Sequence, residues 1–229
     1  MDDRLKAQIR RTWPRQVPFT LIVAALMFAP AGTLAYWQAW VFLAVFLGCS
    51  VGLGIYFAKH DPALLERRMK AGPAAEQEPT QKLIIALLMA ALMLVLVGAG
   101  LDYRWHGATV APWLVILADI GIVVSFIVFF IVMKQNSYAA STIRVEPGQP
   151  VITSGFYGVV RHPMYTGALL LAACMPLALA SYRTLLVVVL VIPVLAWRLL
   201  DEERYLKLNL PGYAEYCARV RYRLVPLVW

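Results

Sequence analysis

Two short clusters in the C-terminal half hold most of the residues able to do chemistry: Arg161-His162-Pro163-Met164-Tyr165-Thr166-Gly167 and Arg198-Leu199-Leu200-Asp201-Glu202-Glu203-Arg204. Proline has no N–H and a fixed φ, so it suits the first position of a helix. Pro163 is therefore predicted to start a helix, with Arg161 and His162 at its mouth. Free N–H groups and a partial positive charge at such a terminus suit a carboxylate. His162 adds a hydrogen-bond donor, and Tyr165 lies in the first turn. Each residue also has a plain reading, Arg161 as a basic flank and Tyr165 as an interfacial aromatic. The second cluster resists that reading, because three adjacent carboxylates repel one another and anionic lipid. Arg198 and Glu202 are four apart, share one helix face and are expected to pair.

The elements that position these clusters follow from composition. Of 229 residues, 61% are hydrophobic and 15% charged, against ~25% charged in an ordinary soluble domain. Six apolar segments stand out, roughly 17–34, 36–58, 83–101, 112–133, 163–181 and 184–200. Most approach the ~20 residues a helix needs to span hydrocarbon, and they lack the alternation of barrel strands. The expected fold is an all-α polytopic bundle of about six membrane spans. A tight hairpin at Tyr182-Arg183 would return Glu202 and Glu203 to the level of Arg161 and His162. The result is a pocket with cationic donors, an imidazole and carboxylates.

Basic residues set the expected orientation. Nineteen of the 21 Lys and Arg fall in residues 1–16 (Arg4, Lys6, Arg10, Arg11, Arg15), the 59–82 loop, the 134–162 loop and the tail from Arg198. Only Arg104 and Arg183 lie on the other side, so the positive-inside rule predicts cytoplasmic termini and a cytoplasmic-facing pocket. The net charge of +8 is then a matter of topology and membrane lipids, and nucleic acid is not an expected partner. Three cysteines without a CxxC pair exclude a disulfide framework and a cysteine-rich zinc site. No GxGxxG, Walker A, HExxH or GxSxG motif is present, and no metal site is expected.

Composition changes near residue 134, which divides the chain into a four-helix membrane region (1–133) and a catalytic C-terminal region (134–229). In the 59–82 loop, Asp61-Pro62 reads as a helix start, ALLERRMK as a short surface helix and Gly72-Pro73 as a break. Between Pro147-Gly148 and Ser154-Gly155, residues Gln149 to Thr153 read as a short β-like stretch. Asp119 lies inside the fourth span, with a structural hydrogen bond to a neighbouring helix as its expected role.

Across residues 134–229 the chain resembles the isoprenylcysteine carboxyl methyltransferase and phospholipid methyltransferase superfamily of integral membrane enzymes. The resemblance rests on Arg161-His162-Pro163-Met164-Tyr165, on Glu202-Glu203 about 40 residues later, and on the tail Pro211-Gly212-Tyr213…Tyr216…Arg223-Leu224-Val225-Pro226. It implies an S-adenosylmethionine cofactor held without a Rossmann domain and a lipid or hydrophobic small-molecule substrate entering from the bilayer. It places Arg161, His162, Tyr165 and Glu202 at the cofactor, with Lys134 and Gln135 helping to close the pocket and Glu203 as a supporting partner. Arg198, with Glu202, would carry catalysis by orienting a substrate carboxylate toward the sulfonium methyl. Membrane sterol-type reductases using NADPH share a related C-terminal region and are the alternative, followed by a non-enzymatic membrane protein.

Overall fold

The computed structural model describes residues 3–229, with side chains from Val17 onward. The basic side chains of Arg4, Lys6, Arg10, Arg11 and Arg15 lie outside the described ones. The chain forms α1 (Asp3–Ala31), α2 (Trp37–His60), α3 (Pro62–Met69), α4 (Pro79–His106), α5 (Pro112–Gln135), α6 (Pro163–Ala178), α7 (Leu185–Asn209) and α8 (Tyr213–Arg219). No strand occurs among the described residues. Helices α3 to α6 each start on a proline, whose missing N–H costs nothing in the first turn. Helix α3 forms where the sequence predicts it, and the Asp61 carboxylate caps it by accepting from Leu64 N at 2.9 Å.

Helices α2, α4 and α5 are long and apolar enough to cross a membrane; the apolar part of α1 (Val17–Ala31) and α6 are shorter. The outward faces of the bundle helices, α7 included, carry exposed Leu21, Leu94, Ile120 and Leu190, as expected for a surface solvated by lipid rather than water. The chain is an integral membrane protein. Helix α5 packs on α6 and α2, α1 on α4 and α2, and α7 on α4 and α6. Met27, Tyr36, Phe42, Leu96, Ile122 and Leu179 lie at the centre of these packings. A Cβ at Gly100 would clash with Met27 O, so glycine lets α1 and α4 touch backbone to backbone.

Three turns meet at one end of the bundle. Tyr36 donates to Leu179 O, and Thr109 donates to Ala180 O through its backbone N (3.1 Å) and hydroxyl (3.0 Å). Asp102 accepts from Ser181 Oγ and Arg183 Nη1, both at 2.6 Å, with His106 Nδ1 3.0 Å away. These bonds close the 178–185 hairpin. Helix α6 ends at Ala178, earlier than the apolar run indicates, with Pro176 in its last turn and Ala180 at φ 54°. Helix α7 instead runs on to Asn209, so the acidic cluster is helical and not a tail.

Two further readings are corrected here. Residues Gln149 to Thr153 form no strand; Val151 packs instead against the cluster of Leu210, Tyr213, Tyr216 and Cys217. Asp119 makes no interhelical hydrogen bond among the described residues: both its carboxylate oxygens are buried without a partner there.

Candidate active site

The end of the bundle opposite those turns holds a cavity of about 360 Å³, at the lower end of the ~300–1,000 Å³ usual for small-molecule and cofactor sites. Its walls come from α3, α4, α5 and the loop after it, the start of α6, α7, and α8. One side is apolar, with Ile85, Leu88, Phe129, Ala168 and Leu195. The other is polar, with Tyr157, Arg161, His162, Tyr165, Arg198, Glu202 and Tyr213. The hairpin thus unites the two clusters that lie some 40 residues apart.

Within the cavity wall, Tyr165 donates its hydroxyl to Glu202 Oε2, and Arg198 Nε donates to that same hydroxyl at 3.1 Å. The direct Arg198–Glu202 pair suggested by their spacing is therefore replaced by a bridge through Tyr165. Arg198 is 5% exposed and spends its remaining donors on the protein. Its Nη1 donates to Gln81 Oε1 at 2.6 Å, and its Nη2 to Glu76 Oε1 at 2.9 Å and Ser141 O at 3.0 Å. Gln81 donates onward to Asp201, and Ile143 N donates to Glu76 Oε2 at 3.3 Å. Arg198 thereby ties α4, the loop before it and the loop after α5 to α7.

Behind this wall, Glu203 organises the mouth of α6. Its Oε1 accepts from Arg161 Nη1 at 2.9 Å and lies 3.4 Å from His162 Nε2, while Oε2 accepts from Arg223 Nε at 3.2 Å. Burial alone would raise the Glu203 carboxyl, but the adjacent His162 and Arg161 outweigh it and hold it at about 2. Arg161 also donates to Val220 O (2.6 Å) and Cys217 O (2.9 Å), and Thr166 Oγ1 to Leu224 O (2.7 Å). The tail is thus laid across the α6 N-terminus, and its backbone carbonyls take up the free N–H groups of Arg161 and His162.

The remaining expected residues are placed differently. Lys134 is exposed and does not line the cavity. Gln135 lies behind it, where Oε1 accepts from Phe156 N at 3.1 Å. Gly155, at φ +61°, leaves that side chain its space, since a Cβ would overlap the Gln135 amide. Glu203 is 2% exposed and faces its arginines rather than the cavity. Sequence reasoning missed Glu76, Gln81, Ser141, Tyr157, Tyr213 and Arg68, because nothing in a polar loop or a helix start marks which residue turns inward.

Among the described residues two buried polar atoms at the site make no hydrogen bond: the hydroxyl of Tyr213, and Nε2 of His162, which only faces Glu203 Oε1 at 3.4 Å. Burial, followed by the Glu202 charge, pushes the Tyr213 phenol up and keeps it neutral, hence a donor. Buried groups left this way are atypical of native folds and invite a ligand.

Residues 114–208 match the model of the isoprenylcysteine carboxyl methyltransferase (ICMT) family. The matched stretch includes both clusters, bears out the resemblance read from the sequence and supports a membrane methyltransferase. Over 91 residues the chain is also 34% identical to Delta(14)-sterol reductase of Mus musculus, covering 38% of this chain and 22% of that protein. The match thus takes in about a fifth of that relative's length.

Proposed function

We propose that this protein is an integral membrane methyltransferase that takes its methyl group from S-adenosylmethionine and passes it to a lipid-like or hydrophobic acceptor, foremost a carboxylate. The observation that carries this reading is the cavity, mainly apolar with a polar part, that joins the Arg161–Tyr165 cluster to Glu202 within the family-matched stretch. The donor set fits the cofactor: the Tyr213 hydroxyl, without a hydrogen bond among the described residues, and His162 Nε2, which only faces Glu203 at 3.4 Å, offer hydrogen bonds, and Glu202 offers negative charge to a sulfonium or ammonium. When bound, the cofactor supplies an electrophilic methyl whose sulfur leaves with the bond's electron pair. The chain's own work is then alignment and water exclusion. Tyr165 fixes Glu202, Arg198 holds the wall that carries Tyr165, and Ile85, Leu88 and Leu195 accept the acceptor's hydrocarbon.

Calorimetry on the detergent-purified protein tests this directly. S-adenosylmethionine should bind, and His162→Ala and Glu202→Ala should each weaken it about tenfold or more, the usual scale for losing a hydrogen bond to a charged group. Near-wild-type affinity in both variants would place the cofactor elsewhere. The identity to a sterol reductase favours a second reading, an NADPH-dependent membrane reductase. Binding of NADPH with no response to S-adenosylmethionine would select it.

The proposal also sets a sidedness, with the cavity and both termini in the cytoplasm. Arg104 and Arg183 lie at the far end with the exposed turns. In a cysteine-free background, Arg104→Cys and Arg183→Cys should react with an impermeant thiol reagent from outside intact cells. Labelling from the cytoplasmic side alone would invert the protein.

A further inference from the structure

Among the described residues, four arginines line the cavity, Arg68, Arg144, Arg161 and Arg198, against a single lining carboxylate, Glu202. Three of the four are matched: Arg144 by Glu146 at 2.9 Å, Arg161 by Glu203 at 2.9 Å and Arg198 by Glu76 at 2.9 Å. Arg68 pairs with no carboxylate among the described residues. Its one hydrogen bond there runs from Nη1 to Ala140 O at 3.3 Å, so Nε and Nη2 have no protein acceptor. Glu202, for its part, pairs with no cation among them and accepts only from Tyr165. The cavity therefore presents one unmatched cation and one unmatched carboxylate that do not pair with each other.

Local structure explains how Arg68 comes to be there. Leu64 is fully buried against Phe57 and Met133 and pins α3 to the bundle. Arg68 follows it by four residues and so lies on the same helix face. The end of α3 is further clamped where Ser141 Oγ donates to Arg68 O at 2.9 Å. Arg67, on a different face, is occupied by Ser137 O at 2.7 Å and by the Tyr138 ring. Burial works against the Arg68 charge and the neighbouring Arg198 adds to that, while Tyr165 and Tyr157 work in its favour. A guanidinium stays charged under such conditions, so an anion supplied by a ligand would restore the balance.

An α-amino acid carries a carboxylate and an ammonium on one carbon, which complements one unmatched arginine and one unmatched glutamate facing the same space. We infer that Arg68 binds the α-carboxylate of the methionine moiety of S-adenosylmethionine, opposite Glu202 at its ammonium end. This assignment rests on the methyltransferase reading and extends it to a residue outside the family-matched stretch. Arg198 does not compete for the role, because its donors are already committed to Tyr165, Gln81, Glu76 and Ser141.

The test is a pair of calorimetric titrations of the full-length protein in detergent, with S-adenosylmethionine and with its decarboxylated analogue, which lacks only the carboxylate. The wild-type protein should bind the intact cofactor at least tenfold more tightly. Arg68→Gln should lose at least tenfold for the intact cofactor, stay within twofold for the analogue, and so lose the discrimination. Arg68→Lys should keep part of it, since charge survives while the planar fork is lost. Equal losses for both ligands would make Arg68 a wall residue only, and unchanged affinity for both would remove it from the site; either result overturns the assignment. A wild-type protein that binds neither ligand would sink the methyltransferase reading itself, and this assignment with it.

Discussion

Glu203→Ala is expected to be the most destabilising single substitution at this end of the bundle, costing about 3–5 kcal/mol. The carboxylate is buried and holds Arg161 and Arg223 while facing His162, so its loss strands two guanidiniums rather than removing one bond. Arg161 in turn anchors the tail through Val220 O and Cys217 O, so the α6 mouth and the tail should loosen together. A large drop in the thermal midpoint of the detergent-purified protein is the expected reading. The same residue predicts the acid sensitivity. Its folded-state value is held at about 2, below the ordinary carboxyl value of 4.5. A depressed carboxylate stabilises the fold above its unfolded value and loses that contribution as pH falls toward the folded one. The wild-type midpoint should therefore decline between about pH 4.5 and about 2, and Glu203→Ala should lack that contribution to the decline. A variant as stable as the wild type would show that the arginines find other partners.

Arg198→Leu is expected to lower turnover by at least two orders of magnitude, on the scale of a reactant misplaced by ~1 Å. The structure changes the reason for that expectation. With four protein acceptors satisfied, Arg198 acts as a positioning residue: without it, the buried Glu76 Oε1 and Gln81 Oε1 lose their donor, and Tyr165 loses the donor that orients it toward Glu202. Affinity for S-adenosylmethionine should then fall along with turnover. Arg198→Lys should recover little, because one ammonium cannot span acceptors on α4, α6 and the loop after α5. Turnover lost with cofactor affinity kept within a few-fold would return Arg198 to direct orientation of the substrate.

Much of the architecture was legible one-dimensionally. Lipid admits only backbones that satisfy themselves, so uninterrupted apolar runs become helices whatever their neighbours do. The six apolar segments fall largely within helices, three of them long and apolar enough to cross a membrane, and the proline helix starts and the Asp61 cap were equally local. The meeting of the two clusters was legible too, because helix rise and a short hairpin determine which residues share a level. The family resemblance was legible for the same local reason: Arg161 to Tyr165 and Glu202-Glu203 are short motifs at a characteristic separation.

Partner choice was not legible. Four-residue spacing allows Arg198 to pair with Glu202, yet Glu76, Gln81 and Ser141 lie 122, 117 and 57 residues away in sequence and take the guanidinium instead. Between adjacent carboxylates, the helix turn of ~100° per residue points Glu202 into the cavity and Glu203 onto Arg161, a division the pair of letters does not contain. Arg67 and Arg68 divide in the same way, one occupied at the surface and one facing the cavity. Local rules specify elements because their hydrogen bonds close within a few residues. Which charge meets which is settled only when the elements pack, since in a low-dielectric interior each buried charge takes the best-placed partner that packing brings within reach.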